Sequence, residues 1–268
     1  MADKYRFDEE NHIHLLNELP LVGTSSMASV LAKPLTWWAS GLAVSEFGWS
    51  HKGTKEKGFV KKEKRIIEAS KRRREISSFT DEEYLKLLDD AYAAHSKKLT
   101  SSAKDGTDMH ALMEDYVKHC IEKNNGVPDE KYKTDNEQVK ILVKWSLEKV
   151  KRFLWSEGHC YSKELWLGGI SDVGFEDKYG YYAILDFKSS KDVYTSQFWQ
   201  CIGYAKQIEE NGVFDSKGNL LLELDKEFTY VAVLPFGMTK PEVKYYFDME
   251  GGLKACRAMV LLYGMLNK

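Results

Sequence analysis

Two runs of strand-type residues, the second ending in an acid and a base, constrain this chain more than any other feature. Leu165-Trp166-Leu167-Gly168-Gly169-Ile170-Ser171-Asp172-Val173-Gly174-Phe175 and Tyr181-Tyr182-Ala183-Ile184-Leu185-Asp186-Phe187-Lys188 are rich in aliphatic and aromatic residues, and residues 176–180 between them read as a hairpin loop. Helical spacing flanks the pair. On the N-terminal side, Met109, Leu112, Met113, Tyr116, Val117, Cys120 and Ile121 recur at intervals of three and four, and a second helix runs through Val139, Leu142, Val143, Trp145, Leu147 and Val150. On the C-terminal side a helix over 196–210 is followed by strands at 227–234 and 243–247 and a closing helix through Met259, Leu262 and Met265. Strands alternating with helices that each carry one apolar face predict an α/β fold, with a central mixed sheet flanked by helices.

The N-terminal part reads differently. Tyr5-Arg6-Phe7 and His12-Ile13-His14-Leu15-Leu16 form a predicted hairpin, closed off at Leu19-Pro20. The hydroxylated run after Gly23 predicts a capped short helix through Met27, Val30 and Leu31, stopped by Pro34, and a second helix carries Trp37, Trp38, Leu42, Val44 and Phe47. Thr80-Asp81-Glu82-Glu83 is a capping-box pattern ahead of Tyr84, Leu87, Leu88 and Tyr92, and a separate helix is predicted to begin near Asp105-Gly106-Thr107. With 268 residues and no flexible linker, the chain is read as one domain over 1–268 with a helical N-terminal elaboration, in which 52–104 is a basic helical insertion.

Between Lys55 and Arg74 there are ten Lys and Arg against three Glu, although the formal net charge of the whole chain is only -2. A charge run is usually a solvated helix face. This one is one-sided and interleaved with Phe59, Ile66 and Ile67, so Lys61, Lys62 and Arg65 are candidates to track phosphates. Trp37 and Trp38 suit base stacking or a core position. No apolar run approaches the ~20 residues of a membrane span, and the first residues lack the apolar stretch of a secretory signal, so the expectation is a cytoplasmic protein without a membrane partner. Cys120, Cys160, Cys201 and Cys256 form no CxxC pair, which points to reduced thiols rather than a zinc site or a disulfide framework.

Strand alternation sends Ala183, Leu185 and Phe187 to one face and Ile184, Asp186 and Lys188 to the other. With 176–180 as the loop, Phe175 faces Tyr181 and Asp172 faces Ile184, which puts Asp172 on the Asp186 face, one diagonal step away. Two carboxylates and an ammonium at the end of an apolar strand call for compensation, and a divalent cation such as magnesium supplies it. Taken alone, the Asp-x-Lys triplet reads better as a surface ion pair at a strand end.

The wider pattern resembles the PD-(D/E)XK nuclease superfamily, specifically its RecB-like branch, which includes mitochondrial and phage exonucleases. The residues that carry the resemblance are Gly106-Thr107-Asp108-Met109-His110, Gly169-Ile170-Ser171-Asp172, Asp186-Phe187-Lys188-Ser189-Ser190 and Gln200-Cys201-Ile202-Gly203-Tyr204, in the family's order, together with the early Leu19-Pro20-Leu21-Val22-Gly23-Thr24-Ser25, where Leu21 replaces the more usual serine. The resemblance spans most of the chain. It implies a restriction-endonuclease-like core and metal-dependent DNA hydrolysis, with Asp172, Asp186 and Lys188 catalytic. His110, Asp172, Asp186 and the carbonyl of Phe187 would hold magnesium or manganese, with Lys188 as base or water-orienting group.

Glu114 and Glu164 are candidates for the surroundings of that ion, and Gln200, Tyr204 and Gln197 for bridging the site to DNA phosphate. His110 otherwise reads as a half-buried histidine bonded to backbone, and Gln197 as part of a polar stripe. No iron-sulfur cluster is implied, because the cysteines are not grouped near the C-terminus. The substrate implied is DNA, as single strands or duplex ends, cut by an exonuclease. A structure-selective endonuclease, or a non-cutting DNA-binding module working with recombination or replication proteins, are the alternatives.

Overall fold

The computed structural model describes residues 3–31, 36–48, 59–238 and 240–267, with the side chains of 36–38, 59–63, 99 and 101–105 outside the description. The described elements run β1 (Tyr5–Asp8), β2 (Ile13–Leu16), β3 (Leu19–Pro20), β4 (Val22–Gly23), α1 (Thr24–Ala28), a 3-10 turn (Ser29–Leu31), α2 (Thr36–Ser45), α3 (Phe59–Ile76), α4 (Asp81–Asn124), α5 (Glu137–Lys149), β5 (Val150–Ser162), β6 (Leu167–Asp177), β7 (Tyr182–Lys188), α6 (Thr195–Asn211), β8 (Val213–Phe214), β9 (Leu220–Leu222), β10 (Phe228–Pro235), β11 (Lys244–Tyr246) and α7 (Met249–Leu266). The chain divides into two compact units, one of residues 1–32 with 106–268 and one of residues 33–105. The second unit begins earlier than the predicted insertion at 52–104.

The first unit is an α/β body. Among the described residues its main sheet has eight strands, in the order β11-β10-β7-β6-β5-β8-β9, with β4 beside β6. β6 pairs antiparallel with β5 and β7, whereas β7 pairs parallel with β10, so the sheet is mixed. α6 lies in sequence between β7 and β10, as a parallel pair requires of its connection. On one face, Met113, Tyr116, Val117 and Cys120 of α4 and Val139 and Leu142 of α5 are buried with Val173, Phe175, Ala183, Leu185 and Phe187. On the other, Phe198, Cys201, Ile202, Tyr204, Ala205 and Ile208 of α6 are buried with Tyr182, Ile184, Val231 and Val233. The strand alternation read from β7 is therefore the one observed. Each large side chain so buried contributes on the order of 1.5–3 kcal/mol. α1 and α7 share a smaller cluster around Met27, Leu167, Cys256 and Met259.

Four expectations change. The β6–β7 loop covers residues 178–181 and the pairing moves by two, because Asp177 extends β6 and its Oδ1 accepts the amides of Tyr179 (2.8 Å) and Tyr181 (3.0 Å). Phe175 consequently faces Ala183, and Gly174 faces Ile184. A shift of two residues preserves which face each side chain takes, so Asp172 keeps the Asp186 face. β5 replaces the end of the predicted α5 and the stretch after it. Its alternation is interrupted by register shifts between Val150 and Arg152 and between Phe153 and Trp155, and a broken period of two is easily missed. α4 is continuous where two helices were predicted, since Gly106 costs a helix only about 1 kcal/mol and does not end it. In the short helix α1, Gly23 is the N-cap, with no side-chain capping bond.

The second unit contains α2, α3 and the first part of α4. Arg72 Nε donates to the carbonyl of Glu46 (3.0 Å), tying α3 to the end of α2. The predicted capping box forms, with Thr80 N donating to Glu83 Oε2 (2.8 Å) and Glu83 N to Thr80 Oγ1 (3.3 Å). Lys64, Lys71, Arg73 and Arg74 are exposed along α3. The side chains of Trp37, Trp38, Lys61 and Lys62, and Pro34, lie outside the described residues.

A candidate metal centre at the ends of three strands

Three adjacent strands each bring a carboxylate to the same row. The register that pairs Val173 with Leu185 puts Asp172 opposite Asp186 one step further on. Ser156 opposite Val173 and Gly158 opposite Ser171 bracket Glu157 opposite Asp172. Asp172 sits where β6 and β7 separate. Its Oδ2 accepts the backbone amide of Phe187 (2.7 Å), so a side chain takes up a strand amide near the end of the ladder. Asp186 is 1% exposed. Lys188 Nζ stands 2.7 Å from Asp186 Oδ2, an ion-pair distance, yet neither oxygen of Asp186 has a partner in hydrogen-bonding geometry among the described residues. Desolvating a carboxylate that completely is costly unless something ligates it.

The remaining groups come from α4. Gly106 lies against the segment after β7, where an added Cβ would be 3.1 Å from Ser189 Cβ, so the glycine lets the helix approach the strand end closely. One turn further along, His110 is held edge-on to the Phe187 ring, with centroids 5.4 Å apart. Its Nε2 is 2.9 Å from Asp172 Oδ2, and its Nδ1 is 3.9 Å from Glu157 Oε1. Glu114, the next turn of α4, joins them: ligand atoms of His110, Glu114 and Glu157 all lie within 4.8 Å of one another. Glu114 also pairs with Lys118.

Asp186, Glu157, His110 and Lys188 are shifted by this crowding. Burial raises the Asp186 carboxyl to about 7, the nearby Lys188 ammonium opposing and Asp172 adding to the effect. Glu157 is likewise raised to about 7 by burial and by the charges of Asp172 and Glu114. For His110, burial disfavours the charged form, but the hydrogen bond and charge of Asp172, then Glu157 and Asp186, outweigh it and lift the imidazole to about 9. Burial also opposes the Lys188 charge, and Asp186 and Asp172 overcome it, so the ammonium stays protonated. An imidazole and carboxylate oxygens, two of them buried without a hydrogen-bond partner, are a donor set that suits a hard divalent cation.

Behind the row, Gln200 Nε2 donates to Ser25 Oγ (2.8 Å) and Tyr204 Oη (2.7 Å), joining α6 to α1. Gly169 permits this, since a Cβ there would stand 2.5 Å from the Tyr204 ring and 2.8 Å from Thr24 Oγ1. Gln200 and Tyr204 are buried and Ser25 is exposed. Gln197 is otherwise engaged: its Oε1 accepts the amide of Tyr194 (3.0 Å) and its Nε2 donates to Ser190 Oγ (3.2 Å), which closes the start of α6. Glu164 pairs with Lys206 (3.0 Å) and Arg257, so it braces α6 and α7 rather than the acidic row. Arg65 is in α3 of the second unit. All four cysteines are free and buried.

Neither a protein-family model nor a curated protein matches this chain. The site is thus characterised by its own geometry. That geometry brings His110, Asp172, Asp186 and Lys188 together with Glu114, and adds Glu157, which sequence reasoning did not single out. Its backbone is left-handed, with φ 54°, inside a strand that was not predicted. Among the described residues no helix is long and apolar enough to cross a membrane.

Proposed function

We propose that this chain is a metal-dependent deoxyribonuclease with a restriction-endonuclease-like core of the RecB-like kind, hydrolysing phosphodiester bonds with magnesium or manganese at the Asp172–Asp186 row. The observation that carries this reading is the fully buried Asp186 carboxylate, without a hydrogen-bond partner, set beside Asp172, His110 and Lys188. His110, Asp172, Asp186 and the carbonyl of Phe187 would hold the cation, which when bound would supply charge neutralisation at the phosphate and a more acidic water.

The chain's own groups divide the remaining work. His110 ligates only as neutral imidazole, so it gives up the proton that Asp172 otherwise favours. The Phe187 amide fixes the Asp172 carboxylate, which keeps one oxygen oriented whether or not an ion is present. Lys188, held protonated by two acids, has N–H groups to offer and no lone pair; this supports its orienting a water and offsetting charge on the phosphate rather than abstracting a proton. Gln200 and Tyr204 support a phosphate contact through the exposed Ser25 hydroxyl that they position. The exposed cations of α3 suit the backbone of a DNA strand. Exonuclease action at ends or in single strands rests on the sequence resemblance.

The test is incubation of labelled single- and double-stranded DNA with magnesium or manganese. Cleavage is expected with the native chain, none with chelator or with Asp186→Ala, and a circular single strand should survive. Cutting that persists in Asp186→Ala, or no cutting by the native chain with either metal, overturns the assignment; a cleaved circle replaces the exonuclease reading with an endonuclease.

A further inference from the structure

We infer that an aromatic cavity at the start of β7 is a self-docking surface, through which two copies of this chain associate around a two-fold axis. It lies away from the acidic row. The loop 178–181 leads into β7, whereas Asp186 and Lys188 are at the other end of that strand. The association requires neither DNA nor a metal ion.

The cavity, about 560 Å3, is walled by Tyr179 and Tyr181 of the loop, Tyr230 near the start of β10, and Tyr245 and Phe247 in and just after β11. Its polar groups are tied down internally. Tyr230 Oη donates to Asp177 Oδ2 (3.1 Å), Trp145 Nε1 donates to Tyr245 Oη (2.7 Å), and Lys178 Nζ donates to the carbonyl of Leu147 near the end of α5. Phe247 packs on Tyr230 with centroids 5.3 Å apart and lies within 26° of parallel to Tyr245. Even so, Phe247 is 67% exposed, and Tyr179, projecting from the loop, is 86% exposed. Large rings held in place yet left in water around a recess have the form of interface anchors, which gain their energy on association.

Charge selects the occupant. The rim carries Glu148 and Lys149, exposed neighbours in the last turn of α5, and neither has an ion-pair partner among the described residues. A nucleic-acid strand calls for an excess of cations, and one free acid beside one free base is no excess. A two-fold axis next to this pair sets Glu148 of each copy against Lys149 of the other, so that both ion pairs form together. Shape is self-complementary in the same sense: the patch offers a projecting ring, Tyr179, and a recess walled by Phe247 and Tyr245 that receives it. The four exposed rings hold on the order of 400 Å2 of aromatic surface in water per copy. With its rim, such a surface buries less than about 1,200 Å2 over both copies, the size of a reversible rather than a permanent interface.

Sedimentation velocity on the full chain, from about 1 to about 200 µM, brackets an interface of this size. A concentration-dependent shift from monomer to dimer is expected. Phe247→Ala and Tyr179→Ala should each weaken the dimer by about 30-fold or more. Glu148→Lys and Lys149→Glu should each weaken it by about 10-fold, because each sets like charges together, and the double reversal should restore it. Circular dichroism checks that every variant is folded. A chain monomeric at every concentration overturns the inference, as does a dimer that Phe247→Ala and Tyr179→Ala leave intact or a double reversal that restores nothing. If the monomer instead binds a single-stranded thymidine oligonucleotide in chelator and Phe247→Ala abolishes that binding, the surface belongs to nucleic acid and the inference falls.

Discussion

Asp172 Oδ2 meets two groups, accepting a hydrogen bond from the Phe187 amide at 2.7 Å and standing 2.9 Å from His110 Nε2. One oxygen thereby links β6, β7 and α4. Replacing Asp172 separates the structural from the chemical role. Asp172→Ala leaves the Phe187 amide and the imidazole without an acceptor and should cost about 1–3 kcal/mol of stability in urea unfolding. Asp172→Asn keeps an acceptor oxygen and should cost less than half of that. Both should reduce DNA cleavage at least about 100-fold, and an asparagine variant with near-native turnover would remove Asp172 from the chemistry.

Gly169 sets how closely β6 approaches Tyr204. Gly169→Ala places a methyl 2.5 Å from the Tyr204 ring and 2.8 Å from Thr24 Oγ1, so a loss of about 1–3 kcal/mol from overpacking is expected. Tyr204→Phe, which removes the hydroxyl that meets Gln200 and Ser25, should cost about 1 kcal/mol. The two effects are measured by thermal unfolding. If Gly169→Ala is neutral, the close packing of α6 on β6 is wrong.

Much of the acidic site was legible because it depends on parity. The pairing across the turn after β6 was read two residues off, but an even shift leaves Asp172, Asp186 and Lys188 on their predicted face. His110 and Gly106 were singled out through the family resemblance alone, since helical spacing by itself favours a half-buried histidine bonded to backbone. Glu157 was not, because its strand carries two register shifts and its own backbone is left-handed, so no simple alternation marks it. The role of Gln197 was hidden for a different reason. A glutamine three residues after Tyr194 looks like part of a polar stripe until the start of α6 is located.

Gln197 is accordingly predicted to act on stability. Gln197→Ala removes the acceptor for the Tyr194 amide and should lower stability by about 1 kcal/mol, a typical helix-cap loss. DNA affinity, measured by fluorescence anisotropy, should be unchanged. A weaker complex at unchanged stability would return Gln197 to phosphate binding.

Away from the acidic row, His14 gives the fold a pH dependence. It is buried against Tyr5, whose hydroxyl is 2.7 Å from His14 Nδ1, and burial, then the neighbouring His159, pushes its pKa down to about 3. An unfolded histidine titrates near ~6.5. Between those values the unfolded chain holds a proton that the folded one refuses, so stability present above about pH 6.5 is lost as pH falls toward about 3. The slope from this one group approaches about 1.4 kcal/mol per pH unit. Urea midpoints taken from about pH 7 to about pH 4.5 should fall less steeply in His14→Gln than in the native protein, and equal slopes would exclude His14 as a source.

The acids across the three strands are not equally open to solvent. Side-chain exposure declines from 32% at Glu157 and 29% at His110 to 13% at Asp172 and 1% at Asp186. An ion approaching the Asp172–Asp186 row from solution would pass the wettest of these side chains first and meet the driest last. It would surrender hydration water in stages along that gradient, which keeps the innermost carboxylate from having to strip a fully hydrated ion in one event.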